Sequence, residues 1–197
     1  MGLKECIDKA ATARIRSVAK SDAIYDAAGE AEKADSAMTA ANKSKDNKGF
    51  EKAKKDCLGS VADGEKAIKP WETEMAAWED AIKALETEIA AEKTKVEQLQ
   101  RENDAVGKAI DEINKDIKAY NDDLLLGERD PRARPLVVKP SGGAKILTAL
   151  AVAAAAQVHA TKERETLSNQ RTWVGKPIDK LKEVKGRASK AKFTPGK

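Results

Sequence analysis

The sequence predicts an all-α protein, in which an elongated helical bundle or long coiled-coil rod is followed by a Pro/Gly-rich loop and a C-terminal Ala-rich helix. Three observations support this fold class. Residues 71–124 repeat apolar side chains at alternating steps of four and three, as coiled coils do. Charged residues make up 36% of the 197-residue chain and aromatic residues only 4%. Much of the apolar content is alanine, which buries too little area for a large globular core.

The N-terminal region, residues 1–69, is predicted to form helices that pack on the rod or extend it. Residues 3–41 carry a thin apolar face, and residues 42–49 have the composition of a turn. A second helix is predicted over residues 50–69. We expect Pro70 to end or kink it, because proline lacks a backbone donor and disfavours helix at the preceding residue.

The rod is predicted over residues 70–126, where an unbroken heptad repeat places apolar residues at positions a and d. Of the sixteen a and d positions, fourteen are apolar; Glu92 and Asn103 are the exceptions. The predicted coiled-coil interface comprises Trp71, Met75, Trp78, Ile82, Leu85, Ile89, Val96, Leu99, Asn103, Val106, Ile110, Ile113, Ile117, Tyr120 and Leu124.

The helix that pairs with this interface is left open between two alternatives. Ile and Val at a, Leu at d and a buried Asn103 favour a parallel dimer. The flanking charges do not support strong pairing of identical helices, because Glu74 would face Glu79 of the partner. The alternative is an antiparallel partner from the same chain, namely the helix of residues 3–28, that of residues 50–68, or both. Self-association and packing within the chain are compatible with each other.

A Pro/Gly-rich linker is predicted at residues 127–143, followed by an Ala-rich helix at residues 144–174. Gly175 and Pro177 are expected to end that helix. A basic C-terminal tail at residues 175–197 would then contain one last short helix over residues 178–190.

Residues 146–158 form a run of 13 residues without charge. A spanning helix needs about 20 apolar residues, so a permanent transmembrane anchor is not expected. The run is predicted to be a close-packing helix among other helices, or else a segment that enters a membrane conditionally. The residues assigned to this role are Ile146, Leu147, Leu150, Val152 and Val158.

Charge is distributed unevenly along the chain. Residues 71–124 hold 15 acidic and 7 basic residues, whereas residues 160–197 hold 4 acidic and 11 basic residues. The basic region would be a solvated face, a contact with the acidic rod of a neighbouring subunit, or a nonspecific site for nucleic acid or anionic lipid. Its candidate polyanion-binding residues are Lys180, Lys182, Lys185, Arg187, Lys190 and Lys192.

No pattern in the sequence predicts catalysis, a metal site or a cofactor. His159 is the one histidine, and Cys6 and Cys57 belong to no Cys/His cluster. The first 25 residues lack the apolar core of a signal peptide, so we expect a cytoplasmic or virion-associated protein.

The sequence therefore predicts a non-enzymatic structural or assembly protein that forms homo-oligomers or binds other helical proteins through its coiled coil. One alternative is a membrane-interacting, pore- or channel-forming protein, and another is a nucleic-acid-binding accessory protein that uses the basic tail. In its layout of Ala-rich helices, a rod and a short apolar segment, the chain resembles phage internal virion (ejection) proteins and secreted helical proteins that assemble at membranes, such as toxin components.

Overall fold

The computed structural model describes residues 2–124, 134–139 and 142–195. Three α-helices make up 91% of these residues: α1 (Leu3–Lys43), α2 (Asn47–Leu124) and α3 (Gly143–Lys190). The described residues contain no β-strand, which confirms the all-α class that the composition predicts. Most of the predicted linker, and the side chain of Leu124, lie outside the described residues.

The turn between α1 and α2 falls where turn composition predicts it, and Asp46 caps the second helix. The Asp46 carboxylate accepts a hydrogen bond from the Gly49 amide at 2.9 Å, which satisfies one of the unpaired donors at a helix start. Lys45 has a φ of 62°, the left-handed conformation that reverses the chain after α1.

The predicted helix end at Pro70 is wrong, because α2 runs through Pro70 as a 78-residue helix. The predicted kink at this proline stays a prediction. Proline inside a helix costs about 3 kcal/mol or more. Trp71 and Met75, just after the proline, are only 7% and 3% exposed. The burial of apolar side chains on both sides of Pro70 offsets the lost backbone hydrogen bond.

The predicted helix end at residues 175–177 is wrong. α3 continues through Gly175 and Pro177 to Lys190, so the expected short helix over residues 178–190 is the last part of α3. Val174 and Leu181, on either side of the proline, are 0% and 1% exposed. As at Pro70, tertiary packing overrides the local preference of proline to end a helix.

The chain forms two compact units, of which unit 1 comprises Met1–Glu86 and Val158–Lys197 and unit 2 comprises Thr87–Gln157. Unit 1 is a bundle of α1, the first part of α2 and most of α3. Arg14 contacts Glu163 and Asp35 contacts Arg187, so α1 and α3 run parallel. Glu65 contacts Lys185 and Glu86 contacts Arg164, so α2 is antiparallel to α3.

The core of unit 1 is a heptad seam contributed by all three helices. In α3 the buried residues alternate at steps of three and four along the whole part of the helix that belongs to unit 1. These residues are Ala160, Glu163, Leu167, Gln170, Val174, Pro177, Leu181, Val184 and Ala188. Because alanine, serine and cysteine predominate among the buried residues of α1, its backbone can approach closely to the larger side chains of α2.

The described part of unit 2 comprises the end of α2, the start of α3 and residues 134–139, which belong to no helix or strand. Its two helices bury Ile89, Val96 and Ile110 from α2 and Ile146 and Ala153 from α3. Lys93 donates a hydrogen bond to Gln157 at 3.2 Å. Unit 2 is thus a two-helix layer, whereas unit 1 is a three-helix bundle.

Candidate interaction surface

The first part of the predicted interface on α2 is buried inside unit 1. Its residues at positions a and d are at most 7% exposed, and they pack against α1 and α3 of the same chain. The hydroxyl of Ser17 in α1 donates a hydrogen bond to the Met75 sulfur at 2.9 Å. These residues are Trp71, Met75, Trp78, Ile82 and Leu85. In unit 1, the predicted antiparallel pairing with residues 3–28 is the alternative that the structure shows, because Ser17 contacts Met75 and Cys57 contacts Ala31. The other expected partner, residues 50–68, is wrong, since those residues belong to α2 itself.

A buried carboxylate joins the three helices of unit 1. Glu163 is only 8% exposed. It accepts a hydrogen bond from the Trp78 indole at 2.9 Å and one from the Arg14 guanidinium at 2.8 Å. A buried carboxylate without such partners would cost several kcal/mol. Because one side chain of each helix takes part, the cluster favours a single register of the bundle.

The flanks of the α2–α3 seam carry complementary charges at matching heptad positions. Glu65, Glu79 and Glu86 lie on one row of α2, and they contact Lys185, Arg171 and Arg164 of α3. The Arg171 hydrogen bond lowers the pKa of Glu79, and the Arg164 hydrogen bond lowers that of Glu86. Within unit 1, the acidic middle and the basic C-terminal region of the chain thus pair with each other.

Most of the candidate polyanion-binding residues contact carboxylates of the same chain. Lys180 contacts Glu32, and Arg187 contacts Asp35, each at 2.7 Å. The same hydrogen bonds raise the pKa of Lys180 and that of Arg187. Lys182 contacts Asp179, which lies one turn earlier in the same helix, at 3.1 Å. The two remaining candidates, Lys190 and Lys192, are exposed at the end of α3 and just beyond it.

The second part of the predicted interface lies in unit 2, and there the d positions are exposed. The a positions Ile89, Val96 and Ile110 remain buried, with Asn103 and Ile117 half-buried. The charged d position, Glu92, is half-buried, whereas the four apolar d positions are between 40% and 48% exposed, and we call these four the exposed row. Its members are Leu99, Val106, Ile113 and Tyr120. In unit 2, α3 is the one described helix that packs on the α2 seam, so the a positions are covered and the exposed row is left open.

The apolar start of α3 is also largely exposed. One 18-residue window of this helix has a mean hydropathy of 1.3, and only 22% of the window is buried. Of the residues assigned to this segment, Ile146 is buried, whereas Leu147 and Val158 are 67% exposed. Leu150 and Val152 are 46% and 52% exposed. By length and composition this is a candidate membrane-spanning helix, which is weak evidence for a span.

Sequence reasoning missed Glu163, Arg14 and the whole seam of α3. The available signal was the seven-residue spacing of Leu167, Val174 and Leu181, which alanine, glutamate, glutamine and proline interrupt at the intervening positions.

Across residues 2–124, 134–139 and 142–195, no group of three or more His, Cys, Asp or Glu side chains is arranged to hold a metal ion. Comparisons with protein-family models, with curated proteins and with solved structures found no match. The fold and its surfaces define an all-α helical bundle protein, and the proposals about its function rest on those surfaces alone.

Proposed function

We propose that this is a non-enzymatic assembly protein that self-associates through the exposed row of unit 2. The observation that carries the proposal is the change along one helix. In unit 1 the d positions Trp78 and Leu85 are 0% exposed, whereas in unit 2 Leu99 and Val106 are 44% and 46% exposed. The same heptad repeat continues across both, so the row has the pattern of an interface without the helix that would cover it.

The shape of the exposed row favours a protein helix over lipid as its partner. Only one apolar side chain per heptad is exposed, and charged residues such as Glu102 and Asp116 lie beside the row. A lipid-facing helix is apolar over most of its circumference. Burying a large apolar side chain fully contributes about 1.5–3 kcal/mol, so half-exposed residues gain about 1 kcal/mol each.

A second copy of this chain is the partner that we propose. Unit 2 of another copy presents the same row with the same spacing, and self-complementary surfaces form two-fold symmetric dimers. Small residues on the exposed side of α3, such as Ala151 and Ala155, would let a neighbouring helix approach closely.

The test is the molar mass of the protein in solution as a function of concentration. We expect size-exclusion chromatography with light scattering to show an oligomer that dissociates on dilution. The double substitution Leu99→Glu/Val106→Glu should give a monomer, because it places two charges in the apolar contact. The matched control is Ile15→Glu, since Ile15 is 65% exposed on α1 of unit 1. A wild-type monomer at high concentration would contradict the proposal, as would equal loss of mass in the control.

Membrane association is a second candidate function, which the exposed apolar start of α3 favours. A buried core helix passes the same composition test, but this window is 22% buried. We expect the protein to float with vesicles of phosphatidylcholine and phosphatidylserine, and Leu147→Asp/Val152→Asp to abolish flotation. Leu99→Asp serves as the control from the exposed row. If the protein fails to float at every vesicle composition, membrane association is contradicted.

The nucleic-acid alternative has less support than either candidate. Lys180, Lys185 and Arg187 each contact a carboxylate of unit 1, so binding to a polyanion would have to break those ion pairs. A gel-shift assay at several salt concentrations, on the protein with and without residues 190–197, tests whether the C-terminal residues bind nucleic acid.

A further inference from the structure

Residues 134–139, which we call the strap, lie extended along α2, where two asparagines bind them by their backbone. Asn121 accepts a hydrogen bond from the Arg134 amide and donates one to the Arg134 carbonyl, both at 2.9 Å. Asn114 binds Val137 in the same way, accepting at 2.7 Å and donating at 2.9 Å. All four hydrogen bonds join a side-chain amide to the backbone, so they do not depend on the strap side chains.

The spacing of the two asparagines matches that of an extended peptide. Seven residues along an α-helix span about 10.5 Å. Three residues along an extended chain span about 10 Å. A helix that presents asparagine every seventh residue can therefore bind every third residue of an extended chain. The seven-residue spacing of asparagines does not continue toward the start of α2, because the next position in the series is Gly107, which has no side chain to bind the strap.

Charge contacts at both ends of the strap add selectivity. The Arg134 guanidinium lies 5.0 Å from the centre of the Tyr120 ring, a cation–π arrangement. The Lys139 ammonium lies 2.7 Å from the Asp111 carboxylate. Between them, Leu136 lines a shallow depression with Asn114 and Lys118. This surface of α2 therefore fits an extended segment that has two basic residues five positions apart in its sequence.

Only about half of each of the strap's two most buried apolar residues is covered, and the third is largely exposed. Leu136 and Val137 are 48% and 44% exposed, and Val138 is 86% exposed. Its attachment depends on the asparagine hydrogen bonds and the two charge contacts, all of which another peptide of the same chemistry would make equally well.

We propose that this surface of α2 is a binding site for extended peptides in which the strap is the resident ligand. The external ligand is an extended segment of a partner protein that carries two basic residues five positions apart. It binds when it displaces the strap. The two proposals share Tyr120, which belongs to the exposed row and contacts Arg134. They are tested separately, because Leu99 and Val106, the residues changed in the self-association test, lie outside the contacts described for the strap.

The test uses a variant whose own strap is detached. Arg134→Pro/Val137→Pro removes both amide donors, because proline has no N–H. A labelled nine-residue peptide with the sequence of residues 133–141, ARPLVVKPS, is titrated into the full-length protein by fluorescence anisotropy. We expect it to bind the detached variant at least about tenfold more tightly than the wild type, whose site is occupied at millimolar effective concentration.

Adding Asn114→Ala/Asn121→Ala to the detached variant should weaken peptide binding at least about tenfold, because four hydrogen bonds are lost. Alanine favours helix more than asparagine does, so α2 should persist, as circular dichroism would verify. A peptide with proline at the two pairing positions is the matched negative control. Equal affinity for wild type and detached variant, unchanged affinity after the asparagine substitutions, or no binding at millimolar peptide would each overturn the proposal.

Discussion

Two glycines in α2 differ in what surrounds them, although both lie inside the same helix. A Cβ atom added at Gly64 would lie 2.5 Å from a Leu181 methyl carbon and 3.1 Å from the Ala27 Cβ, whereas one added at Gly59 meets nothing within 4 Å. We expect Gly64→Ala to lower the free energy of unfolding by about 1–3 kcal/mol through overpacking. Gly59→Ala should raise it by about 0.5–1 kcal/mol. Urea denaturation checks both, and equal effects would contradict the close contact at Gly64.

Two tryptophans in the seam of unit 1 form a second matched pair. The Trp78 indole donates to the buried Glu163 carboxylate, whereas the buried Trp71 indole nitrogen has no hydrogen-bond partner among the described residues. Trp78→Phe should cost about 1.5–3 kcal/mol more than Trp71→Phe, because a hydrogen bond to a charged group is lost. Denaturant unfolding of the two variants measures the difference. Equal destabilisation would show that the Trp78–Glu163 hydrogen bond contributes nothing.

At the scale of the helix, the charged flanks of α2 and α3 make stability depend on pH. The pKa of Glu79 and that of Glu86 are lowered by their arginine partners. A carboxylate with a lowered folded-state pKa contributes stability above its unfolded pKa, about 4.3 for glutamate, and that contribution is lost as pH falls through the folded-state value. We expect the melting temperature to fall between pH 6 and pH 3.

The matched variant for this pH dependence is Glu79→Gln/Glu86→Gln, which removes both titrating groups. Its melting temperature should fall less steeply over the same range, and high salt should reduce the difference because both pairs are solvent-exposed. Identical pH profiles for the variant and the wild type would assign the acid sensitivity to other carboxylates.

The helix seams show how far sequence predicts this fold. Large apolar residues at a and d positions, from Trp71 to Ile117, make the seam of α2 visible in the sequence. The seam of α3 is not visible, because Ala160, Glu163 and Pro177 occupy buried positions that larger apolar residues would mark. The helix ends expected at Pro70 and Pro177 follow from the local preference of proline to end a helix. In the structure, the burial of neighbouring apolar side chains outweighs that preference. The exposed row was predicted as interface residues, whereas nothing local in the sequence predicts that α3 pairs with the acidic face of α2.

At the scale of the whole molecule, the two units should differ in local stability even though α2 contributes to both. In unit 1, α2 packs against two other helices, whereas in unit 2 it packs against one helix and the strap. We expect amides after Glu86 in α2 to exchange with deuterium faster than those before it, because fewer buried contacts oppose local opening. Mass spectrometry of peptic peptides from dilute protein measures this difference.

The same measurement tests self-association. If unit 2 self-associates, raising the protein concentration should slow deuterium exchange in α2 after Glu86 and leave exchange before Glu86 unchanged. Uniform exchange along α2 at every concentration would contradict both expectations.

The shared heptad repeat also makes the length of unit 2 adjustable. Lys93 contacts Gln157 across the antiparallel pair, so residues 94–100 of α2 lie opposite residues 150–156 of α3. Deleting both seven-residue blocks together would bring new neighbours together at equivalent heptad positions and keep every remaining apolar residue on its original face. Deleting a single residue from either helix would instead rotate all later side chains by about 100°, since a turn takes 3.6 residues. Proteins of this design can therefore become longer or shorter in paired steps of seven residues without redesign of their packing.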